Sequence, residues 1–462
     1  MRCVAKRISV CARSLAAPDL LLFLTSGNGE NLLGIYETQG LLNLVEEGLD
    51  SDGRGRCELG AGAGDGSVTH GPLGWGCGLE YATVFPLLDW VTLNGATALS
   101  DLPLPPCGKA VQCCWESALV ASRRPFVGGA SDDTFGIVAM DHAYLTLTAR
   151  KATLFFDSAV LSLGADMNES SGATAVRTGL ASRFLRGDAQ RTGLTLGLAD
   201  GSTRFFAANS SDTAADLSLP TGGAGSGALA FAFADSVGWL TTVGDGSPYP
   251  PARGRAGPRE APWSSIGVFP GNMSGNTLSI SIEQGAGGGA PLVGASFATV
   301  LVPRTTAAAI AVAARPGGLS SLGLDARAIS NSRSLQAAAQ ASLTDLVLLA
   351  AFLEAGTYEA TPSPWPRAVS VAVDAPCLLT LHETLAGGGG GGGESVAVLA
   401  VANPDTYGLV VRVALGGAAR PGCAPITVAL NNAALSDFLG RSEVVQLRCG
   451  APPACCVVAA AG

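Results

Sequence analysis

Apolar and polar positions alternate over short windows along this chain, and a period of two predicts strands. Such windows fall at 143–149 (AYLTLTA), 152–163 (ATLFFDSAVLSL), 203–207 (TRFFA), 277–282 (TLSISI) and 296–302 (SFATVLV). Four more follow at 368–374 (AVSVAVD), 395–401 (SVAVLAV), 408–414 (GLVVRVA) and 443–449 (EVVQLRC). Gly, Asn, Asp and Pro clusters separate them, the punctuation of an antiparallel sandwich. No stretch carries an amphipathic helical period of the length a bundle needs. One segment is ambiguous: 333–353 (RSLQAAAQASLTDLVLLAAFL) is composed of good helix formers. The Pro-rich stretch 361–366 (TPSPWP) reads as a linker and divides the chain into 1–360 and 361–462.

Composition narrows the function classes. The chain has 462 residues, with 28 basic against 37 acidic side chains and a formal net charge of −9. Only Lys6, Lys109 and Lys151 are lysines, and the cations form no run, which argues against a nucleic-acid partner. The near-clusters Arg123–Arg124 and Arg253, Arg255, Arg259 read as solvated loop charges. Glycine is abundant at 62 residues, much of it in small-residue loops at 59–66, 222–227 and 285–289 and in an unbroken run before Glu394. None of these follows a strand and opens a helix, so none is a nucleotide-binding loop. The longest apolar stretch, Leu346–Leu353, is far short of the roughly 18 residues of a membrane span, and no membrane partner is expected. The first residues are basic and then apolar, but Arg13 and Asp19 interrupt the run, so no clear signal peptide is present.

Twelve cysteines lie in two groups, Cys3–Cys114 and Cys377–Cys456. An even count in two clusters predicts disulfides local to each end of the fold and a secreted, extracellular protein. The sequons at Asn168, Asn209 and Asn272 agree with that reading. The adjacent pairs Cys113–Cys114 and Cys455–Cys456 lack zinc-ligand spacing, and no metal or other cofactor is called for. His70, His142 and His382 are the only histidines and sit outside any ligand cluster, which makes them structural or exposed. Asp141 and Lys151 read as strand-end hydrogen-bonding groups. Trp90 and Trp115 are candidates for stacking on a sugar face, although a sandwich tryptophan is more often core. From residues alone, the chain is an all-β secreted protein, of carbohydrate-binding or structural type.

Four segments in order carry a further reading. Ser26-Gly-Asn-Gly-Glu-Asn-Leu-Leu-Gly34 is the first, and Phe85-Pro-Leu-Leu-Asp-Trp-Val-Thr-Leu-Asn-Gly-Ala-Thr97 the second. The third joins Phe126-Val-Gly-Gly129, Gly136-Ile-Val-Ala-Met-Asp141, Leu147-Thr-Ala-Arg-Lys-Ala-Thr-Leu-Phe-Phe-Asp157 and Leu163-Gly-Ala165. The fourth runs from Val371 to Leu379 (VAVDAPCLL). Together they resemble polysaccharide lyase family 8, the hyaluronate, chondroitin AC and xanthan lyases. The resemblance implies a large antiparallel β-sandwich, the galactose-mutarotase-like super-sandwich, followed by a small C-terminal β-sandwich domain. It also implies that 333–353 is mostly strand, since Asn331, Gln336 and Ala337 are similar to the family's N-x-x-x-x-Q-A segment.

The implied reaction is β-elimination beside a uronic acid in an acidic polysaccharide. One group neutralises the carboxylate so that the C5 proton becomes acidic, and a base removes it. In the family the Asn, His, Tyr and Arg that do this lie on an N-terminal α/α toroid, and no segment here is similar to their motifs. The resemblance therefore implies a β portion whose toroid lies upstream or acts in trans, and an isolated chain without lyase activity. The alternative is a non-catalytic, secreted carbohydrate-binding or structural β-sandwich protein. Asn28, Glu30 and Asn31 are the candidate substrate-binding residues, the asparagines through their amides and Glu30 by orienting them. The same N-G-E-N turn can also simply hold itself through side-chain to backbone bonds. Departures include Thr25 where the family has a glutamate, Thr153-Leu-Phe-Phe156 for its W-F-F-F, and Glu283-Gln-Gly285 for its D-H-G.

Overall fold

The computed structural model describes residues 10–13, 20–24, 43–46, 85–100, 124, 126–157, 159–184, 193–197, 203–207, 217–218, 230–234, 237–241, 252–262, 271–285, 289–302, 305–313, 326–385, 395–403, 410–416, 426–429, 442–449 and 455–461. Within them the chain is almost entirely strand, and every strand pairing is antiparallel. Helix is limited to two 3-10 turns, Phe85–Leu87 and Trp90–Thr92, and the short helix Ala307–Ala313. No helix among the described residues is long and apolar enough to cross a membrane.

Five sheets account for the strands. A small sheet holds β1 (Val10–Arg13), β2 (Leu20–Leu24) and β3 (Asn43–Glu46). A five-stranded sheet holds β4 (Thr97–Leu99), β9 (Val176–Phe184), β12 (Leu217–Ser218), β15 (Ala252–Pro262) and β16 (Asn272–Gly285). The nine-stranded sheet contains β5 (Val127–Ser131), β6 (Gly136–Tyr144), β7 (Leu147–Phe155), β8 (Val160–Glu169), β10 (Gly193–Gly197), β11 (Thr203–Ala207), β13 (Ala230–Ala234), β14 (Val237–Thr241) and β17 (Leu292–Val302). A seven-stranded sheet takes β18 (Ala326–Asn331), β19 (Leu335–Ala341), β20 (Asp345–Phe352), β23 (Cys377–Leu385), β24 (Ser395–Ala402), β27 (Glu443–Cys449) and β28 (Cys455–Ala461). The last sheet has β21 (Gly356–Ala360), β22 (Val369–Val373), β25 (Val410–Gly416) and β26 (Ile426–Ala429).

The seven-stranded sheet is a central layer. Val347, Leu349 and Ala351 on one face of β20 pack with Ile137, Leu154, Leu161 and Val300 of the nine-stranded sheet. Leu346, Leu348, Ala350 and Phe352 on its other face pack with Val371, Val411 and Val413 of the four-stranded sheet. Burial on both faces explains why 333–353 shows no period of two: a strand covered on both sides needs apolar residues throughout. As the resemblance implied, this stretch is strand, and tertiary packing overrides its helix-forming composition.

Several local expectations are corrected. The windows 143–149 and 152–163 each contain a hairpin turn. One lies at Leu145–Thr146, where Leu145 has φ 52°, and the other closes with Phe156 N–H donating to Ala159 O. Within the Pro-rich stretch 361–366, Trp365 is buried in the core between the seven- and four-stranded sheets. β20 pairs with β23 over eight residue pairs, from Asp345↔Thr384 to Phe352↔Cys377.

Candidate functional site

The N-G-E-N residues Asn28, Glu30 and Asn31, together with Thr25, lie outside the described residues, as do His70 and Trp115. The second family-like segment, 85–97, is described. It docks onto the five-stranded sheet through backbone bonds. Gly95 N–H donates to Gly179 O at 2.8 Å, and Gly179 N–H returns a bond to Ala96 O at 2.8 Å. Ser182 N–H donates to Asn94 Oδ1 at 2.7 Å. Position 179 has no room for a side chain: an added Cβ would lie 2.2 Å from Leu93 O and 2.3 Å from Thr92 O. Trp90 is buried beside Leu87, Leu93 and Leu147, which removes it as a sugar-stacking surface.

The nine-stranded sheet meets this segment with unusual polarity. Lys151, in the middle of β7 and not at a strand end, is buried and donates from Nζ to Gly95 O. Burial pushes its pKa down to about 7. His142 on β6 is fully enclosed, and neither ring nitrogen has a hydrogen-bond partner. Burial, and secondarily the charge of Lys151, pushes its pKa down to about 3, so the imidazole is neutral at physiological pH. On the opposing sheet Thr97 and Thr178 share a hydroxyl hydrogen bond of 3.0 Å, and Gln284 Nε2 donates to Thr178 Oγ1 at 3.3 Å. These groups sit between sheets, where they hold the 85–97 segment; none is accessible to a polymer. His382 is likewise structural, edge-on to Phe135 at a centroid distance of 5.1 Å.

A second polar constellation joins the nine- and seven-stranded sheets. β8 bulges at Ala165–Asp166, and the pairing of both its neighbours shifts there. Asn331 Nδ2 donates to Gly164 O at 3.1 Å and to Phe297 O at 2.9 Å. Gln336 Nε2 donates to Arg150 O at 2.9 Å. Outside this staple, Arg150 donates to Glu354 Oε1 at 2.9 Å and also to Arg333 O, and its Nη2 lies 3.9 Å from Asp141. Arg333 approaches Glu354 and Asp166 at 3.3 and 3.8 Å. Asp141 therefore belongs to a partly exposed charge network with Arg150 and Arg124.

Arg253, Arg255 and Arg259 are on a strand, β15, where loop charges were expected. Cys377 is a free, buried thiol pushed up to about 12 by burial and by the Asp374 charge, so it takes no part in a disulfide. The β27–β28 register sets Cys449 opposite Cys455. Asn168 of the first sequon has its amide engaged by Asp166 and its oxygen by Gly294 N–H, while Asn272 is exposed. Among the described residues no cluster of three or more His, Cys, Asp or Glu side chains is arranged to hold a metal ion.

Stacked antiparallel sheets, tied by the 85–97 segment and by Asn331 and Gln336 beside the bulge at Ala165–Asp166, form a super-sandwich. The family description "polysaccharide lyase family 8, super-sandwich domain" matches residues 53–314, and the chain belongs to that family. The chondroitinase AC of Pedobacter heparinus is 29% identical over 165 residues, 35% of this chain and 18% of that protein. Among solved structures, a chondroitinase AC lyase superposes with TM-score 0.59 at 18% identity, covering 92% of this chain and 51% of its own. Paenibacillus xanthan lyase gives 0.62 at 14%, covering 98% and 39%. The chondroitin AC lyase of Streptomyces coelicolor A3 in complex with chondroitin sulphate gives 0.54 at 19%, covering 88% and 42%. The chain thus spans about half or less of these relatives, and at such identities the solved structures share its fold.

Proposed function

We propose that this chain is the β portion of a uronan-cleaving lyase, one that binds an acidic polysaccharide while helical groups outside it remove the proton. The observation that carries the reading is the super-sandwich match over 53–314, reinforced by the similarity to a chondroitinase AC. In the reaction, the carboxylate of the uronic acid is neutralised, a base takes the C5 proton, the electron pair forms the C4–C5 double bond as the C4–O bond breaks, and the departing oxygen takes up a proton to become a hydroxyl. An α/α toroid, upstream or in trans, supplies that base. Asn28 and Asn31 offer amide donors and acceptors to sugar hydroxyls, and Glu30 orients them. Residues 1–360 and 361–462 serve as the central and C-terminal β domains. The protein works outside the cell, with disulfides among cysteines other than Cys377.

The test uses the full chain with chondroitin and hyaluronan. Retention of the polysaccharide, weakened by Asn28→Ala and Asn31→Ala, with no rise in unsaturated-uronide absorbance is the expected result. Substantial turnover by the chain alone overturns the assignment of proton removal to a toroid. Failure to retain either polymer overturns the binding role.

A further inference from the structure

We propose that Asn272 is an acceptor site for an N-linked oligosaccharide, and that Asn168, which opens the same kind of Asn-x-Ser triplet, is closed to it. The inference rests on the extracellular reading, since such triplets are used in secreted proteins. The triplet at 272–274 is Asn-Met-Ser, with no proline in its middle position. It opens β16, where Asn272 pairs with Pro262, Met273 with Ala261 and Ser274 with Glu260. Side chains alternate along a strand, and directly paired residues share a face. Ala261 and Met273 turn inward to the core cluster of Leu87, Trp90 and Leu93. Asn272 and Ser274 therefore turn outward together, and both are exposed. The acceptor amide and the hydroxyl that the triplet requires stand on one solvent face, about 7 Å apart along the strand.

Hydrogen bonding separates the two asparagines. A side-chain amide nitrogen carries two hydrogens, and glycosylation replaces one of them with C1 of the first sugar. Asn168 Nδ2 uses both, donating to Asp166 O at 2.8 Å and to Asp166 Oδ1 at 3.1 Å, while its own Oδ1 accepts from Gly294 N–H at 2.9 Å. These bonds hold the β8 bulge, where Asp166 has φ 51°, against β17, and a sugar on Asn168 would remove one of them. Asn272 Nδ2 makes a single long contact, 3.4 Å to Glu260 Oε1, and its other hydrogen has no acceptor among the described residues. The preceding Gly271 is exposed, and an added Cβ there meets no heavy atom within 4 Å, so the entry to β16 has room for a bulky substituent. In the transfer, Asn272 Nδ2 bonds to C1 of an oligosaccharide carried on a lipid pyrophosphate. The C1–O bond breaks, the pyrophosphate leaves with the electron pair, and the amide gives up a proton to a base of the transferase. The attached sugars project away from the 85–97 segment, which packs on the inward face of the β15–β16 pair.

The experiment delivers the full chain through a secretory leader in yeast and maps its tryptic peptides by mass spectrometry. Each digest is compared before and after treatment with an amidase that releases N-linked sugars and leaves aspartate. Wild type is set beside Asn272→Gln, Ser274→Ala and Asn168→Gln, with a urea midpoint for each. Tryptic cleavage puts Asn168, Asn209 and Asn272 on different peptides, so each is read independently. The Asn272 peptide is expected to carry glycan in wild type, and Asn272→Gln and Ser274→Ala each abolish it with the midpoint nearly unchanged. Asn168 is expected to be bare, and Asn168→Gln lowers the midpoint while leaving the glycan on Asn272. A bare Asn272 in the leader-delivered wild type overturns the acceptor site and leaves the uronan reading untouched. Glycan on Asn168 of the folded protein overturns the distinction between the two asparagines. Glycan that persists in Ser274→Ala shows attachment without the triplet's hydroxyl and also overturns the site. Glycan on Asn272 of the leader-delivered chain, with a bare Asn272 in the protein from its own cells, supports the site and overturns the extracellular reading alone.

Discussion

Gln336 reaches across a sheet boundary and donates from Nε2 to the carbonyl of Arg150, 2.9 Å away. Its neighbour in the β18–β19 register, Asn331, covers the carbonyls of Gly164 and Phe297. A bulge leaves backbone groups outside the regular ladder, and buried carbonyls without donors are costly. Gln336→Ala or Asn331→Ala is therefore expected to lower stability by about 1–3 kcal/mol. Urea unfolding measures this, and a loss below about 0.5 kcal/mol at both positions would show that water replaces the amides without cost.

Gly179→Ala places a Cβ against the backbone of Thr92 and Leu93, which cannot swing aside as a side-chain tip would. The 85–97 segment must then lift from β9, at a cost of at least about 1–3 kcal/mol. Gly356→Ala, where an added Cβ meets nothing within 4 Å, is the neutral comparison in the same thermal-melt series.

Stability should depend on pH through the two buried bases. Lys151 has a folded pKa of about 7 against an ordinary 10.5. Between those values the unfolded chain holds a proton that the folded chain has released, so stability rises with pH from about 7 towards 10.5. His142, at about 3 against 6.5, acts the same way lower down: stability is lost as pH falls from 6.5 towards 3. Lys151→Met should flatten the alkaline slope and His142→Leu the acidic one. Unfolding free energies across pH 4–9 that keep both slopes in these variants would assign them to other groups.

Leu349 is fully buried between the seven- and nine-stranded sheets, whereas Leu343 is exposed in the β19–β20 turn. Leu349→Ala should cost about 2–5 kcal/mol, the range for a truncated core leucine, and Leu343→Ala should lie within about 0.5 kcal/mol of wild type. Comparable effects at the two sites would contradict the central-layer packing.

Cys377 should resist thiol reagents in the native protein, because its thiolate is strongly disfavoured and its sulfur is shielded. Peptide mapping after native alkylation checks this. Labelling of Cys377 before global unfolding contradicts the assignment.

The amino-acid sequence by itself determined that the chain is built of antiparallel strands. Alternation is visible wherever one face of a strand meets a core, and β27 (Glu443–Cys449) coincides with its window at 443–449. Family-like segments pointed to Asn331 and Gln336, but their partners were invisible, because Arg150, Gly164 and Phe297 contribute carbonyls that every residue carries. Tertiary structure decided the rest. It turned a helix-like composition at 333–353 into two strands, since a layer covered on both faces rewards apolar residues without period. It enclosed Lys151 and His142, whose burial depends on a segment about fifty residues earlier folding over them.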